Sequence, residues 1–174
     1  LACSFLETNR LILRPFTEED QDDYAAIVMQ DEVARWLGGT TGYDRNRARQ
    51  DIDRRIISQQ ARGFSEFAVC LRVSRKLIGF CGFAIYDDAL AIGLEFSYAF
   101  DPTCWGQGLA FEATQRMLAY GGSELGFGSV HAITKQGNTR SQNLLKKLGF
   151  QRQSSHPAEP DAVIFRFDWQ SSRR

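Results

Sequence analysis

No charge excess of either sign marks this chain: 21 Lys and Arg residues balance 21 Asp and Glu. That balance argues against the basic footprint of a nucleic-acid binder. The four cysteines, Cys3, Cys70, Cys81 and Cys104, form no C-x-x-C pair, and neither histidine, His131 or His156, lies at ligand spacing from them. The expectation is therefore no metal site and no disulfide framework, with Cys70 and Cys81 as small core residues. No apolar stretch approaches the ~20 residues that a membrane-crossing helix requires, so no membrane partner is expected. No secretory pattern opens the chain, which starts at Leu1 and not Met; a cytoplasmic protein with a few residues missing or trimmed is the expectation. Internal repeats, low-complexity tracts and linkers are also absent, which leaves residues 1–174 as one domain.

What is present is material for a core, with 43% hydrophobic and 12% aromatic residues. Thr8 to Phe16 reads as a first strand, and Thr17-Glu18-Glu19-Asp20 as an N-cap with an acidic first turn, opening a helix to about Met29. A short helix from Glu32 to Leu37 follows, then a charged helix from Arg45 to Ala61 whose buried stripe is Ile52, Ile56 and Ile57. Glu66 to Val73, Lys76 to Tyr86 and Ala91 to Phe100 form an antiparallel meander. Leu109 to Gly126 is a well-buried helix, Ser129 to Thr134 a strand, and Ser141 to Leu148 a short helix stopped by Gly149. Phe150 to Ser154 and Val163 to Asp168 close the sheet. This order predicts an α/β (α+β) fold with a mixed, mostly antiparallel central sheet flanked by helices.

Two neighbouring segments carry the chemistry. Along Ile92 to Phe100 the even positions are large and apolar, while Gly93, Ser97 and Ala99 are small and share their face with one carboxylate, Glu95. Such a Glu is either ligand-facing or an edge residue in water. Trp105-Gly106-Gln107-Gly108-Leu109-Ala110 then opens the buried helix. Two glycines and a helix N-terminus make a cradle for an anionic phosphate, although a glycine-rich turn can also be a plain connector with Trp105 packed as an ordinary aromatic.

This order of elements resembles the GNAT superfamily of acyl-CoA-dependent N-acyltransferases, and within it the RimJ/RimL-type ribosomal-protein N-terminal acetyltransferases. Thr8-Asn9-Arg10-Leu11-Ile12-Leu13-Arg14-Pro15 resembles that branch's opening T-x-R-L-x-L-R-P, and Leu77-Ile78-Gly79-Phe80-Cys81-Gly82 its L-I-G-x-x-G strand. Asn138-Thr139-Arg140-Ser141 through Lys147-Leu148-Gly149-Phe150 resembles its N-x-x-S…K-x-G-F segment. Trp105 replaces the superfamily's usual initial Gln or Arg, as is typical of the branch.

The resemblance implies a GNAT fold in which the diphosphate of acetyl-CoA lies on Trp105, Gly106, Gln107, Gly108, Leu109 and Ala110. The pantetheine arm then bonds the backbone of Tyr98, Ala99 and Phe100, in a gap facing Ser129 to Thr134. Asn138 and Ser141 contact the same arm, although both positions also suit helix capping. Glu95 becomes the candidate base that deprotonates the acceptor amine, and Ser141 the hydroxyl near the sulfur. Leu145 stands where the superfamily often places a Tyr acid. Arg140, Lys146 and Lys147 read as a solvated helix face or, for one of them, a contact to the adenosine 3′-phosphate, Glu112 as structural, and His131 as a core or edge residue. Acceptor choice falls to residues 36–43, with Trp36 and Tyr43 as substrate-binding candidates, and to residues 155–161. The implied partner is a primary amine, either a protein N-terminus or a small molecule, and relatives that often pair point to a homodimer. A non-catalytic CoA-binding or interaction module that kept the fold is the alternative. A dinucleotide-binding fold fits poorly, for want of any G-x-G-x-x-G.

Overall fold

The computed structural model describes residues 5–37, 43–85, 93–156 and 159–169. Eight strands form one sheet in the order β1-β2-β3-β4-β5-β6-β8-β7. They are β1 (Leu6–Glu7), β2 (Leu11–Arg14), β3 (Glu66–Leu71), β4 (Leu77–Ile85), β5 (Leu94–Phe100), β6 (Ser129–Lys135), β7 (Gln151–Ser155) and β8 (Ala162–Asp168). Neighbours run antiparallel except β5 and β6, which run parallel. The mixed sheet agrees with the sequence reading.

Helices cover both faces. On one, α1 (Gln21–Val28) and α3 (Arg45–Arg62) pack Tyr24, Ile27 and Ile52 onto Ala68, Cys70 and Phe80 of the sheet. On the other, α4 (Leu109–Ser123) and α5 (Thr139–Lys147) bury Ala113, Met117 and Leu145 against Phe67, Phe83, Phe96 and Phe165. The short α2 (Asp31–Ala34) follows α1. Alternation along β5 therefore sends Phe96, Tyr98 and Phe100 toward α4 and α5, and Glu95, Ser97 and Ala99 toward the α1/α3 side.

Several boundaries differ from the sequence reading. The first strand is not continuous from Thr8: Thr8 Oγ1 accepts the Leu11 N–H at 2.9 Å, and Thr8 N–H donates to the Leu11 carbonyl at 3.0 Å. That tight turn separates β2 from β1, which folds back so that Leu6 lies opposite Leu13. Ile57 is 62% exposed and so is not part of the α3 stripe; Ala48, Ile52 and Arg55 are its buried residues. Steps of three and four bring Arg55 and Ile56 under Ile52, whereas a step of five turns Ile57 away. The buried helix stops at Ser123, short of Gly126, and α5 starts two residues before Ser141 with Asn138 as its N-cap. Tyr86 to Ile92 lie outside the described residues.

Both glycines of Leu77 to Gly82 are sterically required. A Cβ on Gly79 would lie 2.3 Å from the Ala99 carbonyl oxygen, and one on Gly82 2.5 Å from Glu66 Cα. Their absence lets β3, β4 and β5 close up beside the functional strand.

Candidate active site

β4 pairs with β5 along its whole length, and β8 with β6. Between β5 and β6, by contrast, the only register pair among the described residues is Glu95 with His131. Beyond it the strands part, so that Ser97 to Phe100 and Ala132 to Lys135 bound a wedge-shaped gap that opens toward the end of β5.

The glycine-bearing loop stands at that opening. Asp101 Oδ1 accepts Thr103 N–H and Oγ1–H at 2.9 and 2.8 Å, Gln107 Nε2 donates to the Thr103 carbonyl at 2.8 Å, and Trp105 Nε1 donates to the Phe100 carbonyl at 2.9 Å. Gly108 is the α4 N-cap with φ 77°, in the left-handed region where glycine is at no disadvantage. The first intrahelical bond runs from Glu112 N–H to the Gly108 carbonyl. The N–H groups of Leu109, Ala110 and Phe111 thus have no partner inside the helix and point out along its axis, at the positive end of its dipole. Phe111 extends the predicted cradle by one donor.

The Thr8–Arg10 turn fastens this loop from behind. Glu112 accepts Thr8 Oγ1–H at 2.6 Å, Arg10 N–H at 2.9 Å and Arg10 Nε–H at 2.6 Å, while Arg10 Nη1 donates to the Gln107 carbonyl at 3.0 Å. Burial works to raise the Glu112 carboxyl, but these donors outweigh it and hold it below the ordinary carboxylate range. Glu112 is therefore structural, and the opening T-x-R sequence explains itself: it turns the Gln107 carbonyl away from the mouth of the helix. Losing this half-exposed contact removes roughly 1 kcal/mol of loop ordering. Arg10→Gln should weaken the binding of a diphosphate-bearing ligand at this loop about fivefold, measured by calorimetry.

Across the gap, α5 presents its first turn. Asn138 Oδ1 accepts Ser141 N–H at 3.1 Å, so the capping role is real. The Tyr98 hydroxyl reaches over from β5 to Ser141 Oγ at 2.9 Å. The Arg140 guanidinium lies 4.6 Å from the Trp105 ring centre, so it is not merely solvated but hangs beside the loop. Leu145 is buried in the core.

On the α1/α3 side, Tyr43 Oη lies 3.3 Å from Tyr24 Oη, which donates to Asp51 Oδ2 at 3.2 Å. The Trp36 ring reaches the Gly137 turn that precedes Asn138. Tyr43 thus sits on the face that carries Glu95, and Trp36 stands at the turn that leads into α5. Residues 38–42 and 157–158 of the candidate acceptor loops lie outside the described residues. In the late loop, His156 is buried and accepts Glu159 N–H on Nδ1 at 3.1 Å, a structural cap.

Sequence reasoning missed a buried ion cluster next to this site. Glu66 of β3 is 1% exposed and Arg55 of α3 2% exposed. Gly82 and Ser97 are register neighbours of Glu66 across two strands. With no side chain at Gly82 in between, Glu66 Oε1 accepts Ser97 Oγ–H at 3.0 Å, two residues along the strand from Glu95. Burial disfavours the Glu66 charge, but Arg55, Arg54 and Ser97 outweigh it and keep the carboxylate ionised well below its usual range. Arg55 Nε is 3.5 Å from Glu66 Oε2 but without hydrogen-bond alignment; its guanidinium packs over Phe80, Tyr24 and Phe16 at 4.4, 4.8 and 5.2 Å. The sequence reads His131 as a core or edge residue but not its pairing: register sets it opposite Glu95, a neighbour that separation in sequence conceals.

A groove of about 220 Å³ between α4, the end of α5 and β8, lined by Phe111, Leu118, Leu148 and Trp169 among others, contains none of the predicted site residues. Among the described residues, no group of three or more His, Cys, Asp or Glu side chains is placed to hold a metal ion, and no helix is long and apolar enough to cross a membrane.

Residues 10–151 match the family model described as an acetyltransferase (GNAT) domain. The chain belongs to the GNAT acetyltransferase family. It is 34% identical over 152 residues to the uncharacterised N-acetyltransferase YoaA of Bacillus subtilis (strain 168), covering 85% of this chain and 83% of the relative. Among solved structures it superposes on an acetyltransferase from Agrobacterium tumefaciens str. C58 with TM-score 0.82 at 19% identity, over 96% of this chain and 95% of that one. It superposes on RimL, a ribosomal L7/L12 α-N-protein acetyltransferase solved with coenzyme A, with TM-score 0.78 at 15% identity, over 94% and 97%. The GNAT chain is thus an acyltransferase by family.

Proposed function

We propose that this GNAT chain moves an acetyl group from acetyl-CoA to a primary amine by direct attack in a ternary complex, as a cytoplasmic member of the RimJ/RimL-type branch. The observation that carries this reading is the β5–β6 register pair, the only one among the described residues, at the closed end of a gap whose open end faces the helix mouth. It leaves a wedge with backbone donors at its open end, as a diphosphate on a thin arm requires.

The residues fit that cargo. N–H groups from Gly106 to Phe111 and the α4 dipole hold the diphosphate, with Arg140 beside them. The β5 backbone from Tyr98 to Phe100 guides the arm, and the N–H at Tyr98 polarises the thioester carbonyl. The Phe100 carbonyl is already engaged by Trp105, so the arm depends more on the backbone nearer the apex. An acceptor amine entering past Trp36 and Tyr43 meets Glu95 on the opposite face of β5. Glu95 takes its proton, directly or through water, because an ammonium has no lone pair. The amine nitrogen then bonds to the carbonyl carbon, the C–S bond breaks, and the sulfur leaves beside Ser141. An N-terminal α-amine, with a pKa of about 8 against about 10.4 for lysine, makes the smaller demand on such a base.

The test is thiol release from acetyl-CoA against a panel of peptides with varied N-termini, amino acids, polyamines and aminoglycosides. Titration with coenzyme A, followed by amide shifts, runs alongside it. Turnover with one amine class and perturbed amides at Gly106 to Ala110 are expected. An undisturbed loop at saturating coenzyme overturns the reading.

A further inference from the structure

We propose that Tyr98 is a positioning residue for the departing sulfur: its hydroxyl donates to Ser141 Oγ and thereby aims the Ser141 proton into the wedge. This rests on the acetyl-transfer reading above and goes beyond it, since that reading uses only the backbone of Tyr98.

Either hydroxyl of the Tyr98–Ser141 pair can be the donor; the distances favour Tyr98 giving its proton to Ser141 Oγ. Tyr98 Oη lies 2.9 Å from Ser141 Oγ and 3.2 Å from the Ser141 carbonyl oxygen, and Tyr98 has one proton to give. The carbonyl lies inside α5, where the helical ladder already supplies it with a donor. The hydroxyl oxygen is nearer, close to the usual O–H···O distance. With Oγ accepting from Tyr98, the Ser141 proton cannot point back along the same line and is left free to turn toward the gap. The Ser141 main chain is held independently by the Asn138 cap. A side chain three residues away thus fixes the backbone of Ser141, and one 43 residues away its hydroxyl. Leu145, one turn further along α5, is buried and apolar and offers no competing donor.

The pair acts by hydrogen bonding, with no net proton loss from either hydroxyl. Burial pushes the Tyr98 phenol above its ordinary value, whereas a thiol ionises near pKa 8.5, so a full transfer from phenol to thiolate runs uphill. As the C–N bond forms and the C–S bond breaks, the electron pair stays on sulfur and the nitrogen sheds its second proton through Glu95, which has passed the first to solvent. Tyr98 and Ser141 keep their protons, and the released thiolate takes one from solvent.

The experiment is a double-mutant cycle with Tyr98→Phe, Ser141→Ala and the double variant, reading kcat, acetyl-CoA Kd by calorimetry, and thermal melting. Tyr98→Phe should lower kcat by about tenfold with acetyl-CoA Kd little changed. The double variant should be no slower than Ser141→Ala alone, because Tyr98 acts only through Ser141. Phe keeps the ring packing on Phe96 and Phe100, so a folded variant is expected, and Ser141→Ala provides a second, milder deletion of the same bond. A slow Ser141→Ala with a fully active Tyr98→Phe overturns this inference and leaves the acetyl-transfer reading standing. Additive losses in the double variant also overturn it, by placing Tyr98 on a separate task. If Ser141→Ala is itself at wild-type rate while the enzyme turns over, the sulfur-facing role of α5 falls and the inference with it.

Discussion

Glu95→Gln is expected to slow acetyl transfer at pH 7 by about a hundredfold or more, the range of a lost general base. Affinity for acetyl-CoA should hardly move, because Glu95 lies on the α1/α3 side of β5 and the helix mouth lies beyond the strand's far end. The loss should shrink as pH rises through the acceptor's own pKa, about 8 for an α-amine, since bulk solvent then supplies the free amine without help. A pH profile of kcat/KM for both forms is the check. Unchanged turnover at neutral pH removes Glu95 from the mechanism. A deficit equally large at pH 6 and pH 9.5 instead assigns the carboxylate to binding.

The second large effect is on stability. Glu66→Ala leaves the Arg55 guanidinium buried among Phe16, Tyr24 and Phe80 with its nearest carboxylate gone. Breaking a buried pair from one side costs about 3–5 kcal/mol. At about 2–4 °C per kcal/mol for a chain of this size, the melting temperature should drop by roughly 6–20 °C. The pH dependence follows from the sign of the shift. The folded-state pKa of Glu66 is depressed, so its contribution is fully present above the unfolded carboxylate value of about 4.3 and is lost as pH falls through the folded value below it. The variant should lack that component of acid sensitivity. Melting curves from pH 7 to pH 3 test both points; a shift below about 2 °C at pH 7 means that Asp51 compensates for the missing carboxylate.

What could be read from the chain and what could not divide along a physical line. Patterns with a local cause were legible. Alternation along Leu94 to Phe100 assigned the two faces of β5 correctly, the glycines of residues 105–110 marked the helix mouth, and Asn138 was recognisable as a cap. Features that depend on residues far apart were not. Nothing local distinguishes the buried Arg55 from the exposed arginines of the same helix; its place is set by Glu66 and three aromatic rings from other elements. The Tyr98–Ser141 bond, the Glu95–His131 register and the Arg10–Glu112 fastening each join segments dozens of residues apart. Gly82 is an instructive intermediate. Its motif could be seen in the sequence, but the reason for it, a clear row from Glu66 to Ser97, needs three strands in register.

The parted β5 and β6 also bear on how the molecule holds together. A five-strand leaf and a three-strand leaf meet along a short seam, and the inner rims of both leaves carry main-chain groups that ordinary sheet pairing would have used. An occupant that bonds both rims works as a stitch as well as a cargo, adding RT ln(1 + [L]/Kd) to the resistance of the fold to unfolding. On the proposed reading, the wedge that admits the thioester also couples coenzyme supply to the durability of the protein.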